Sequence, residues 1–157
     1  MDWQWLFFSF HGRINRAKYW LTALIFFIAG LIMAAIGYAL GQNMASQIVG
    51  GAFELVIFIS GLAVVSKRLH DRGRSAWWLL LFYLLPGVLM GIGFGVFYAT
   101  ASMVLLAVLG VIAGAITIWA FVEIGCLRGT IGSNRYGSDP LAGASSLQTR
   151  AGSYSGH

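Results

Sequence analysis

All ten Lys and Arg residues of this 157-residue chain fall in three short segments, and the long apolar stretches between them hold none. Arg13, Arg16 and Lys18 form the first group, Lys67, Arg68, Arg72 and Arg74 the second, and Arg128, Arg135 and Arg150 the third. A water-soluble chain scatters cations over its whole surface, whereas a chain threaded through a bilayer keeps them out of the hydrocarbon. The charge map therefore constrains the fold to an integral membrane protein. Composition agrees. Apolar residues make up 59% and charged residues 10%, against roughly 45–50% and 25% in soluble domains.

A helix needs about 20 apolar residues to cross the hydrocarbon core. Four runs reach that scale, over about residues 20–40, 48–65, 77–97 and 102–124. The expected fold is an all-α membrane protein: four transmembrane helices with short loops, in one domain covering residues 1–140. The linkers 41–47 and 98–101 carry no cation, so the positive-inside bias places both termini and the loop 66–76 in the cytoplasm. Tyr19, Trp20, Trp77 and Trp78 at the inner boundary, with Tyr38 and Tyr98 at the outer, read as aromatic belts. Residues 3–10 are dense in aromatics but too short to cross, and are expected to lie on the inner leaflet. Residues 141–157 are mostly Gly, Ala and Ser and read as a disordered tail.

Glycines suggest how the spans pack, because transmembrane helices associate through close backbone approach. Gly87, Gly91 and Gly95 form a ridge on the third span, expected to meet Gly110 and Gly114 on the fourth. Gly37 and Gly41 make a similar patch on the first. Pro86 should disturb the third span, since proline removes a donor and clashes with the preceding turn.

Several functional classes are poorly served. The lone Cys126 rules out an internal disulfide and any cysteine-based zinc site. No cleavable signal peptide is expected, because the first ten residues carry Asp2 and no cation. The net charge of +5 sits beside the spans, so anionic phospholipid headgroups, not nucleic acid, are the expected counter-charge. No nucleotide-binding, zincin or serine-nucleophile pattern occurs, so neither a cofactor nor enzymatic activity is expected.

Two acids lie within spans. Glu54 falls deep in the second, where an ionised carboxylate costs several kcal/mol unless paired, hydrated or protonated. It supports the alternative of a small transporter or channel. Glu123, near the inner end of the fourth span, is within reach of the middle loop's cations. Arg68, His70, Asp71, Arg72 and Arg74 crowd that loop and form the candidate headgroup site. A histidine beside a carboxylate also permits a membrane enzyme, the third reading, although no second histidine or cysteine completes a metal set.

Three strings complete the pattern: residues 10–20, with Gly12, Arg13, Arg16 and Trp20; residues 68–78, with Arg68, His70, Asp71, Gly73, Trp77 and Trp78; and residues 129–140, with Asn134, Tyr136, Gly137 and Pro140. Their order and spacing resemble the bacterial inner-membrane family catalogued as domain of unknown function 805. The resemblance implies a small polytopic protein of the inner membrane with no assigned activity, cofactor or catalytic residues. Glu54 is not part of that family's pattern.

All three strings belong to the expected cytoplasmic face. They should fold together into a polar cap of Arg13, Arg16, Arg68, His70, Asp71, Arg72, Arg74, Asn134, Arg135 and Tyr136, with Asp71 and Glu123 taking arginine partners. The favoured role is a binding or scaffold component, with membrane lipids, another membrane protein or further copies of itself as partner. Reporter fusions at Gln42 and Ser75 should read out opposite sides of the membrane. Both on one side would refute the topology.

Overall fold

The computed structural model describes residues 2–41 and 43–142. Among them there is no β-strand, and four helices are long and apolar enough to cross a bilayer. The tail expected from residue 141 onward lies outside the described residues, apart from Leu141 and Ala142.

A short helix, α1 (Trp3–Phe8), starts at Asp2, whose carboxylate accepts the Trp5 N–H. Helix α2 (Arg16–Ala39) starts at Asn15, which accepts the Lys18 N–H at 2.9 Å, and α3 (Met44–Asp71) starts at Asn43 through the Ser46 N–H. These caps satisfy amide groups that the first turn leaves without carbonyls. A π-helical segment, Leu80–Leu84, leads into α4 (Leu85–Thr100). Ala101, at φ 55°, turns the chain into α5 (Met103–Ala120), which ends in a second π segment, Phe121–Cys126.

The first π segment has a local reason. Pro86 cannot donate, and its ring would crowd the carbonyl four residues back in a regular turn. The wider turn relieves that crowding: the Leu85 N–H bonds the Leu80 carbonyl five residues earlier. At the other segment, the Leu127 N–H likewise reaches Val122 O, five residues back.

The second span runs further than the hydropathy pattern suggests. Residues 66–71, expected in a loop, continue α3 as a helix to Asp71. It ends in a Schellman turn: Arg74 N–H bonds Leu69 O, Gly73 N–H bonds His70 O, and Gly73 takes φ 71°. Helical propagation through Ser66–Asp71 turns what looked like a solvated basic loop into the best-buried stretch of the protein.

Helix α2 packs on α3, and α4 on α5, but the backbones of the two hairpins approach each other only at Phe121–Cys126. The buried apolar residues gather at that same end. Val65, Leu69, Phe82, Ala120 and Ile124 form one cluster, and Leu6, Ile14 and Val64 form another under α1. Further along, Leu24, Phe27 and Leu31 stand exposed, as a lipid-facing surface requires. Tyr38 and Tyr98 are exposed near one end of the helices, Trp20 and Trp77 near the other.

The expected glycine ridge is not the hairpin interface. A Cβ placed on Gly87, Gly91 or Gly95 would meet open space, and Gly114 has no close neighbour. Gly93, two residues out of register with the ridge, is the close approach, 3.3 Å from the Leu106 Cα for an added Cβ. Spacing alone identified a small-residue face but not which face meets α5. Gly93→Val should therefore destabilise the fold by about 1–3 kcal/mol in detergent unfolding, while Gly91→Val should leave the midpoint in place.

Candidate functional site

The end where the hairpins meet is closed by a polar cap centred on Asp71. Its carboxylate is 4% exposed and lies between two guanidinium groups, Arg13 and Arg68, themselves 1% and 0% exposed. Arg13 Nε and Nη2 donate to Asp71 Oδ1 at 3.1 and 3.0 Å, and Arg68 Nη1 donates to Oδ2. One carboxylate thus holds two buried cations, and backbone carbonyls accept further hydrogen bonds from both.

Arg13 reaches the chain after α5. Its Nη1 donates to Gly132 O at 2.7 Å and Gly137 O at 3.2 Å, and its Nη2 to Thr130 O at 2.6 Å. Arg68 reaches the end of α5, with Nε on Ile124 O at 2.8 Å and Nη2 on Leu127 O. Those carbonyls are the negative end of a helix dipole, where a cation is favoured. Gly129 packs directly on Asp71, and a Cβ there would fall on the carboxylate.

A second ion-pair group sits beside the first. Glu123, on the π segment, accepts from Arg72 Nη2 at 3.1 Å and Arg74 Nε at 2.8 Å. The Arg74 guanidinium also lies 4.0 Å from the Trp78 ring centroid, a cation–π contact. Arg72 adds a bond to the Arg128 carbonyl.

His70 stacks on Tyr136 at 4.0 Å between centroids with 7° between planes. Its Nδ1 lies 3.2 Å from Gly12 O, and because a carbonyl only accepts, Nδ1 carries the proton there. Asn134 Nδ2 donates to His70 O and Thr130 Oγ1, both at 2.9 Å, and its Oδ1 accepts the Tyr136 N–H. Arg135 lies over the Tyr136 ring and contacts Gly73 O at 3.4 Å.

Lys67 was not among the expected cap residues, yet it is fully buried. Its ammonium donates to the carbonyls of Trp5, Leu6 and Ser9 at 2.6–2.7 Å and lies 4.7 Å from the Trp5 ring centroid. All three N–H donors are matched, and the three carbonyls belong to the end of α1. The aromatic segment is therefore clamped to the protein, with Leu6 buried beneath it. Gly129 and Thr130 were likewise missed. A glycine needed for close approach to a carboxylate has no pattern of its own, although Gly129 opens the third family string.

The structure draws Arg13, Arg68, His70, Asp71, Arg72, Arg74, Asn134, Arg135 and Tyr136 together with Glu123. Arg16 stands at the rim, exposed, and among the described residues its side chain makes no hydrogen bond or ion pair. Glu54 stands apart: seventeen residues separate it from Asp71 along α3, about 25 Å at the helical rise. It is exposed beside a groove between α2 and α3. Among the described residues no three His, Cys, Asp or Glu side chains converge as a metal set.

The sequence profile described as "Protein of unknown function (DUF805)" matches residues 7–138, which spans every part of this cap. The chain belongs to that family. It is 35% identical to "Uncharacterized protein YiiR" of Escherichia coli K12, covering 87% of this chain and 88% of the relative. It is 32% identical to "Inner membrane protein YhaI" of the same strain, over 87% of this chain and 89% of the relative. "Inner membrane protein YhaH" is also 32% identical, over 84% and 87%. No solved structure matches the chain. With relatives of that name and four membrane-capable helices, this family member is a multi-pass protein of the bacterial inner membrane.

Removing Asp71 leaves two buried guanidinium groups without a counter-charge, and breaking such a pair typically costs about 3–5 kcal/mol. Asp71→Ala should lose that much in detergent unfolding followed by circular dichroism, and Gly129→Ala should shift the midpoint the same way. A loss below about 1 kcal/mol for Asp71→Ala, the scale of a surface pair, would show that the carboxylate does not hold the cap together.

Proposed function

We propose that this protein is a binding or scaffold component of the inner membrane whose capped end faces the cytoplasm and engages anionic phospholipid headgroups. One observation carries the reading: apart from Arg135, which lies over the Tyr136 ring, the cations among the described residues divide into two sets. Arg13, Arg68, Arg72 and Arg74 are held by Asp71 and Glu123 inside the cap, and Lys67 by carbonyls. Arg16, Lys18 and Arg128 lie at the ends of α2 and α5, and among the described residues their side chains have no carboxylate within ion-pair distance. The first set makes a rigid platform. The second presents positive charge where a membrane-spanning helix leaves the hydrocarbon.

The physical fit is with a phosphate-rich surface. A basic side chain near an anionic leaflet contributes about 1 kcal/mol, weakened by salt. Trp77, exposed at the same end, suits the headgroup layer, where an amphipathic ring has both an apolar and a wet side. Arg72 and Arg74, also headgroup candidates from sequence, pair with Glu123, so the reading rests first on Arg16, Lys18 and Arg128.

In vesicles of mixed phosphatidylglycerol and phosphatidylcholine, the protein should enrich phosphatidylglycerol around itself at low salt and lose the enrichment as salt rises. Replacing Arg16, Lys18 and Arg128 together with Gln should remove most of it without moving the unfolding midpoint. Undiminished enrichment in that triple variant would exclude these cations as the headgroup contacts.

A further inference from the structure

A cavity of about 170 Å³ lies between the start of α2 and the chain that follows α5. Arg16 and Arg128 line it, together with Asn15, Gly129, Thr130 and Asp139, and the Asp71 hub forms part of its wall. One water needs about 10–15 Å³ of such space, so a phosphate group fits with solvent beside it.

Charge around the cavity selects the ligand's sign. Asp71 is already matched by Arg13 and Arg68. Asp139 accepts the Leu141 N–H through Oδ1 and the Gly132 N–H through Oδ2, each at 2.9 Å. Those two backbone hydrogen bonds hold its carboxyl below the usual range, so it stays ionised at neutral pH. Among the charged side chains that line the cavity, Arg16 and Arg128 balance Asp71 and Asp139, and the Arg13 and Arg68 guanidinium groups paired to Asp71 behind the wall tip the surroundings positive. A metal cation is disfavoured there and an anion of one or two charges is favoured.

The free donors also suit a tetrahedral oxyanion. The Arg16 and Arg128 guanidinium groups make no hydrogen bond among the described residues, and each offers a planar fork of N–H groups that matches two phosphate oxygens. Arg16 is the first residue of α2, so the positive end of a 24-residue helix borders the same space. Arg16 stands at the end of a membrane-capable helix, where a spanning helix would meet headgroup phosphates.

We propose that this cavity is a discrete site for one phosphate group, held by Arg16 and Arg128. Its lipid form rests on the headgroup reading above; a free phosphate would occupy the same donors. Lys18 belongs to the general basic surface but does not line the cavity, and this separates the two ideas experimentally.

The full chain in mild detergent would be titrated with phosphatidylglycerol, read by native mass spectrometry, and with inorganic phosphate, read by calorimetry. One phosphatidylglycerol should bind per chain. Arg16→Gln and Arg128→Gln should each weaken it about tenfold or more, Arg16→Lys less, and Lys18→Gln not at all. Unchanged helical signal and unfolding midpoint would show that the variants keep the cap. Competition by inorganic phosphate would identify a general phosphate site; binding of the lipid without competition would identify a headgroup site. One-to-one lipid binding that ignores both arginine variants overturns the clamp and leaves the headgroup reading standing. No preference for anionic lipid overturns the headgroup reading; phosphate uptake that still needs both arginines would then keep the clamp, and its absence would remove both.

Discussion

A single buried carboxylate organises the polar end of this protein. Asp71 meets Arg13 from the segment before α2 and Arg68 from its own helix, and the two arginines extend to carbonyls after and at the end of α5. Three stretches far apart in sequence are joined through one charged group. Burying an ion pair is expensive unless every donor finds an acceptor, and here carbonyls released by helix ends and turns supply them. The arginines and the open backbone groups solve each other's desolvation problem.

The same logic explains why order is concentrated at one end. Helices in lipid gain nothing from apolar contact as such, so they are held by close backbone packing and by polar contacts. Among the described residues the ion pairs all serve the cap, and the backbones of the two hairpins approach each other only there. Beyond it each hairpin holds through its own pairing, Gly93 against Leu106 being the tight point in α4–α5. The aromatic segment at the start joins the cap by a similar device, with Lys67 collecting the carbonyls at the end of α1. A cation without a carboxylate is tolerable there because its three donors are all matched and its ammonium lies against the Trp5 ring.

Much of the cap was readable from the chain. Three strings rich in Arg, His, Asp, Asn and Tyr had to lie on one side of the membrane, and five acids for ten cations made Asp71 and Glu123 natural partners. Which arginine went to which acid was not readable. The middle loop offered Glu123 several cations, and the π segment aims it at Arg72 and Arg74. Lys67 resembled a simple span-closing residue, because its acceptors are main-chain carbonyls that carry no sequence signature. The glycine ridge misled for a related reason: periodicity identifies a small-residue face but contains nothing about which helix lies opposite.

The sequence by itself determined that the chain crosses a membrane, roughly where, and which residues share its polar end, because excluding charge from hydrocarbon is a rule every residue obeys independently. Only the tertiary structure decided which cations are locked in ion pairs and which stay open to a ligand. That division depends on donor and acceptor positions in space, set by two π turns and a helix continued to Asp71, and no single residue type encodes them.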